Sequence, residues 1–235
     1  MHIPWHSKVR LIQQQADIIA IYKPNDLLSH PNSSDHKVNN SILLAPYDLK
    51  REAYVLDDQQ CIYLLNRLDS PTSGILLLSS NFHVAQKIRE MFRNHQVKKT
   101  YTAVIKGHLT AKAPLTWTDR ISIEKNAKQQ LRSHCQHDGL WAQTEVSVDR
   151  SITLKGITCT QITLRPKTGR THQLRIQCAS RHYPILGDKT YGDFSLNRSL
   201  HLRQLYLHAY AIDLTLEQMH FSVQVEAPWD LSKLE

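Results

Sequence analysis

Residues 66–79, NRLDSPTSGILLLS, decide how the rest of the chain is read. Pro71 presets φ, Gly74 permits a backbone turn that other residues resist, and the apolar run 75–78 resumes extended structure. Asp69 therefore sits on a tight loop between two strands. Both flanks, 61–68 and 74–79, are almost continuously apolar, which predicts central strands buried on both faces. An acid is thereby exposed at the rim of a buried sheet. Taken alone, Asp69 reads as a turn residue bonding its own backbone, and that reading wins.

Upstream, 17–22 reads as a short apolar strand ending at Lys23-Pro24, so the first strand begins close to the N-terminus; 25–50 is polar and predicts a long loop with one helical turn. Downstream, Ser80 or Asn81 is placed to cap a helix in which Val84, Ile88, Met91 and Phe92 recur on one side and basic residues occupy the other. Residues 100–107 alternate as a strand with Tyr101, Ala103 and Ile105 on one face. The pattern weakens between 109 and 155 to short strands, clearest at 144–148 and 151–154, and predicts a peripheral hairpin region. A strand over 156–165 leads into Pro166-Lys167-Thr168-Gly169-Arg170, a turn before a helix bearing His172, Arg175, Ala179 and His182 along one side, whose N-terminus would suit an anion. Two strands, 205–216 and 220–226, close the chain. Many strands and few helices predict an α+β fold with a large mixed, mainly antiparallel sheet and flanking helices.

The 235 residues carry 29 Lys and Arg against 21 Asp and Glu, a net charge of +8, which favours a polyanionic partner, nucleic acid first. Two blocks concentrate the charge. Residues 86–107 set six cations against Glu90 alone, and 165–187 hold Arg165, Lys167, Arg170, Arg175 and Arg181 with no acid, a pattern suited to tracking phosphates. The four cysteines have no paired spacing, so neither a disulfide framework nor a zinc knuckle is predicted. His134-Cys135-Gln136-His137 matches no usual zinc spacing, and no metal is expected. The N-terminus lacks a signal-peptide core and no apolar run approaches the ~18 residues of a membrane span, which predicts a soluble, cytoplasmic protein without a membrane partner.

Four segments in order, NRLDSPTSGILLLS (66–79), VKKTYTAVIKG (97–107), LRPKTGRTHQLRIQCASRHYPILGDKTYG (164–192) and YLHA (206–209), resemble the pseudouridine synthases of the RluA family, and IIAIYKPNDLLSHP (18–31) is similar to that family's opening strand and Lys-Pro turn. The resemblance implies a single catalytic domain over 1–235 with two lobes around a central cleft; the early first strand leaves no room for an appended N-terminal RNA-binding domain, and a monomer is the default expectation for such a domain. It implies an isomerase that detaches uracil from C1′ and rejoins it through C5, without metal or other cofactor, acting on rRNA or tRNA and not on DNA. Asp69 then corresponds to the catalytic aspartate. Addition to the base, attack at C1′ and proton removal from C2′ all suit an ionised carboxylate.

By the same resemblance Tyr101 packs against the target base, Arg175 holds the aspartate ionised, and Leu207 lines the uracil pocket. Arg67 corresponds to the arginine that fills the space of a flipped nucleotide, its bland alternative being a surface salt bridge. Arg170 and Lys99, with Lys98, Arg89 and Arg93, are expected at RNA phosphates. Asn66 stands where the family commonly has His, which predicts a changed supporting contact and retained activity. A non-catalytic RNA-binding protein on the same scaffold and a nucleoside hydrolase releasing free uracil are the competing functions.

Overall fold

The computed structural model describes residues 3–31, 40–57, 60–125, 131–135 and 138–231. In chain order the elements are β1 (Arg10–Gln15), β2 (Ile18–Lys23), β3 (Tyr47–Asp48), β4 (Ala53–Val55), β5 (Cys61–Leu64), β6 (Ser73–Ser79), α1 (Phe82–Arg93), β7 (Lys98–Lys106), β8 (Leu115–Lys125), β9 (Leu131–Cys135), β10 (Leu140–Leu154), β11 (Ile157–Pro166), α2 (Gln173–Ser180), α3 (Phe194–Ser199), β12 (Leu207–Leu216) and β13 (Met219–Gln224). This is the expected α+β class. The chain divides into two compact units, Met1–Lys98 with Ala209–Ala227, and Lys99–His208 with Pro228–Glu235.

In the first unit β6 is the central strand, every residue of it buried. It pairs antiparallel with β2 from Ile18↔Ser79 to Lys23↔Gly74, and its last two residues meet β5 at Tyr63↔Ser79 and Leu64↔Leu78. The wholly buried β2 fits its continuous apolar sequence. One core joins Ile18, Ala20, Ile75, Leu77, Ile88, Ile212 and Phe221, each aliphatic side chain stabilising by roughly 1.5–3 kcal/mol on burial. Asn81 caps α1, its Oδ1 accepting from His83 N at 2.9 Å and Val84 N at 3.3 Å. Ile88 is buried, and Val84, Met91 and Phe92 pack against the core as their spacing predicts.

The first strand is not 17–22, however. β1 precedes it as a partly exposed strand paired only to β2, and its polar sequence RLIQQQ carries no alternation that would announce it. The apolar segment 61–68 is strand only to Leu64, and no helical turn occurs among the described residues of 25–50. There Leu28 bridges Ser41 and Trp5 bridges Leu43, so backbone pairing takes the place of the expected turn.

In the second unit β7, β11, β10, β8 and β9 follow one another as antiparallel neighbours. The two short strands expected at 144–148 and 151–154 are parts of the continuous β10. They looked separate because a bulge interrupts the alternation: Val148 faces Ile162, Arg150 faces Gln161, and Asp149 is the extra residue, its two carboxylate oxygens accepting from Thr163 Oγ1 at 3.0 and 2.9 Å. The middle region is thus built from the longest strands of the unit. A short apolar stretch also joins β7, with Ile105 bridging Ile185 and Leu186 N donating to Val104 O at 2.9 Å. At the end of that stretch Gly187 has φ +73°, and an added Cβ would meet Gln204 O at 1.7 Å, so only glycine fits.

The helix after the 166–170 turn is shorter than its sequence suggests. It spans Gln173–Ser180; His172 precedes it with φ 56° and His182 follows it with φ 63°, so neither shares a helical face with Arg175. Gln173 through Cys178 are all buried. Three of these six are polar, and side-chain hydrogen bonds satisfy them. Gln177 Nε2 donates to Asp119 Oδ2 at 2.8 Å and to Ala142 O at 3.3 Å, while its Oε1 accepts from Thr144 Oγ1 at 2.6 Å. Gln173 Nε2 donates to Thr144 Oγ1 at 2.9 Å and to Gln143 O at 3.1 Å. Two glutamines at i and i+4 fasten α2 to the sheet. The six-residue α3, capped by Asp193 Oδ1 at Leu196 N (3.0 Å), was not legible in sequence.

Candidate active site

Asp69 lies on the turn between β5 and β6 as its sequence predicts, half-buried, with its carbonyl accepting from Thr72 N at 3.0 Å. The turn is clamped from below. Ser29 Oγ donates to Leu68 O (2.9 Å) and accepts from Leu68 N (3.1 Å), and Tyr54 holds Ser29 O through its hydroxyl at 2.8 Å. Asp26 N donates to Ser70 O at 2.8 Å. Lys23, at the end of β2 and fully buried, donates from Nζ to Leu27 O (2.7 Å), Pro24 O (2.9 Å) and Ser70 O (3.0 Å). Burial pushes its ammonium down to about 7, opposed by the negative charges of Asp69 and Asp26. A buried cation thus ties the Asp69 turn to β2 and sits within the field of Asp69. The signal for it was a lysine ending an otherwise apolar strand.

Gly74 is required on this turn. Its φ is +125°, and a Cβ there would meet Ala209 O at 2.4 Å and Ala209 N at 2.5 Å. This close approach brings together the last residue of YLHA and the far end of the Asp69 turn. Asn66 Oδ1 accepts from Leu77 N at 2.8 Å, so the residue standing in place of His extends the pairing of β6 just beyond the point where β5 ends. Arg67 is exposed and forms no ion pair among the described residues. Its charge does reach Tyr47, whose hydroxyl is pushed up to about 12 by burial and Glu52, with Arg89 and Arg67 opposing. Tyr47 stacks on His30 with centroids 4.8 Å apart.

In the second unit, Tyr101 lies on β7 opposite Leu164 and packs against the core cluster that contains Leu174 and the buried Leu207. Tyr101 and Leu207 therefore share one apolar cluster. Arg175, on α2, is buried and held by Asp188, Nε to Oδ2 and Nη2 to Oδ1, both at 2.8 Å. Burial works against the Asp188 carboxylate, but the Arg175 hydrogen bonds and charge, with the Thr190 and Tyr191 amides, outweigh it and hold the acid below its usual range. The Arg175 guanidinium also lies 5.1 Å from the Tyr191 ring centroid, and the Tyr191 hydroxyl is 2.8 Å from His172 Nδ1. Asp188 was missed in sequence. It is the first acid after the acid-free block 165–187, a position that marks it as the block's internal counter-ion.

Several cations of the two basic blocks are paired within the protein. Arg89 is drawn inward, Nε donating to Leu64 O at 2.7 Å and Nη2 to Glu52 O at 2.6 Å. Arg181 pairs with Asp119 at 2.9 Å over the Trp117 ring, and Lys106 pairs with Asp193 at 2.6 Å. Acids distant in sequence neutralise these cations. Lys99 is partly buried, its Nζ 3.4 Å from Thr168 O, and burial pushes it down to about 8. The expected anion site at the 166–170 turn is filled from within: Gln173 Oε1 accepts from Arg170 N at 3.0 Å and Thr168 Oγ1 at 2.8 Å. Lys167 and Arg170 remain at the surface of that block. The His134–His137 stretch falls partly outside the described residues. All four cysteines are free thiols, and burial pushes Cys159 up to about 11. Among the described residues, no helix is long and apolar enough to cross a membrane.

Two sheet-based units, one presenting a carboxylate on a clamped turn and the other an arginine held by a buried acid, define an α+β scaffold of the pseudouridine synthase type. A solved human protein, RNA Pseudouridylate Synthase Domain Containing 1, has the same fold, with a TM-score of 0.74, 22% identity, and coverage of 96% of this chain and 86% of the human one. The family model for RNA pseudouridylate synthase matches residues 17–180, and the chain belongs to that family. It is an isomerase acting on RNA. The tRNA pseudouridine synthase C of Yersinia pestis is 30% identical over 94% of this chain and 87% of its own length. The protein of that name from Pectobacterium carotovorum subsp. carotovorum is 29% identical over 94% of this chain, which spans 59% of the longer relative.

Proposed function

We propose that the protein converts one or more uridines of a structured RNA to pseudouridine in the cytoplasm, with Asp69 as the catalytic carboxylate and tRNA as the first substrate class. The observation that carries this reading is the Asp69 turn itself. Its backbone is pinned by Lys23, Ser29 and Thr72 while the residue is only partly buried, an arrangement suited to a group that must meet a flipped-out nucleotide in one fixed orientation. Tyr101 packs against the uracil, Leu207 borders it, Arg175 keeps the aspartate ionised, and Arg67 takes the space the nucleotide leaves. Arg170 and Lys99 serve RNA phosphates. The tRNA assignment draws on the names of the two bacterial relatives.

The protein acts as a monomer without metal or cofactor in this reading. Incubation of unmodified tRNA and rRNA transcripts with the protein, followed by chemical derivatisation of pseudouridine and sequencing, tests it. Pseudouridine at a defined tRNA position, with no free uracil released, is expected. Free uracil would indicate a hydrolase, and RNA bound but unchanged would indicate a non-catalytic protein.

A further inference from the structure

β10 buries Ala142, Thr144 and Val146 on one side, so Trp141, Gln143 and Glu145 project from the other. Trp141 is 56% exposed beside Leu140, itself 62% exposed. Its cross-strand partner on β8 is Arg120, whose guanidinium carbon lies 4.5 Å from the indole centroid. Arg120 Nη1 is steadied 3.4 Å from Gly139 O, so the cation is held against the ring. The indole is covered on one face and open to solvent elsewhere.

The 167–170 loop is stitched to the same stretch of β10. Lys167 N donates to Gln143 O (2.9 Å), Gln143 N donates to Thr168 Oγ1 (2.9 Å), and Arg170 Nε donates to Trp141 O (3.0 Å). Two surface cations are thus fixed beside an exposed aromatic ring through main-chain bonds. Arg170 spends only its Nε on Trp141, and a guanidinium has two further nitrogens that suit a phosphate. The acid on this face, Glu145, is engaged by Arg165 at 3.6 Å and Lys167 at 4.0 Å. Among the described residues of this face, Arg120, Arg165, Lys167 and Arg170 stand against the Glu145 carboxylate and leave the patch positive.

We infer that this face of β8 and β10 is a nucleotide-stacking site, in which one unpaired base of the substrate RNA, distinct from the reacting uridine, stacks on Trp141 while Arg170 and Lys167 hold its flanking phosphates. A base on the open indole face completes a guanidinium–indole–base stack, with the cation–π contact already in place before RNA arrives. Charge favours RNA as the occupant: cations beside an exposed ring match the phosphates that flank a stacked base. The inference rests on the proposal that the substrate is RNA, and adds where a second nucleotide is gripped.

The test uses the full chain, an unmodified tRNA transcript, and the Trp141→Leu and Arg170→Ala variants. For Trp141→Leu, KM and Kd for the transcript rise about 10-fold, kcat at saturating RNA stays within about twofold, and the RNA-induced quench of tryptophan emission shrinks. Arg170→Ala weakens binding and lowers the slope of log K against log salt by about one. Unchanged KM and quench in Trp141→Leu, with wild-type circular dichroism, overturn the inference while leaving isomerisation intact. Trp141-dependent quenching by a protein that forms no pseudouridine in any RNA overturns the isomerase reading and leaves the stacking site standing.

Discussion

The Asp69 turn and the Arg175 helix are opposites in charge and alike in construction. On the first, a partly buried acid sits on a turn whose main chain a buried cation, Lys23, grips. On the second, a cation is buried and an acid, Asp188, grips its side chain directly. The difference lies in what each clamp fixes. Lys23 fixes a backbone path and leaves the Asp69 carboxylate's rotation to its own contacts. Asp188 fixes the guanidinium plane itself, through paired 2.8 Å bonds that set both position and orientation.

The comparison breaks most sharply at Asp188. Asp188→Asn uncouples a buried pair and is expected to cost about 3–5 kcal/mol in urea unfolding at pH 7. Because its partners hold the native carboxyl below its ordinary pKa, its stabilisation is present above the unfolded value of about 4 and is lost as pH falls through the native one. Wild-type stability should therefore drop as pH falls below about 4, with a component that Asp188→Asn lacks. Identical slopes would show that Asp188 does no electrostatic work in the folded state.

Lys23→Met comes next. Three carbonyls lose their donor, for a loss of about 3 kcal/mol, and the Asp69 turn is released. If RNA is gripped at the proposed cationic and stacking contacts, the expected kinetic result is a fall in kcat larger than any rise in KM. Asn66→Ala removes one acceptor from Leu77 N and should cost about 1 kcal/mol, with activity retained within about 10-fold. Arg67→Ala should leave stability within about 0.5 kcal/mol while lowering kcat/KM by about 10-fold or more, as expected for an exposed residue that offsets unstacking of the target. A stability change exceeding the catalytic one would return Arg67 to a structural role.

Much of this was legible in the chain. The Pro71–Gly74 spacing located the Asp69 turn, the apolar run of β6 announced a central strand, and Asn81 was recognisable as a cap, because each is a local consequence of residue type. The misses are non-local. β1 owes its structure to β2, the bulge at Asp149 made one strand look like two, and α2 is secured by Gln173 and Gln177, whose partners in the sheet lie 29 to 60 residues earlier in the chain. The pairing of the basic blocks was hidden for the same reason, since Asp119, Asp188 and Asp193 reach them only once folded. Trp141 illustrates the reverse: its exposure becomes evident only when the strand's other face is seen to be buried.

The account rests on Asp69 being the chemical group and its frame being a holder. The direct measurement is pseudouridine formation in an unmodified tRNA transcript by wild type and Asp69→Asn, with RNA affinity measured on the same preparations and deamidation checked by mass. Loss of turnover by roughly 10⁴-fold or more with Kd unchanged is the predicted result. Turnover by intact Asp69→Asn protein within about 10-fold of wild type would contradict it.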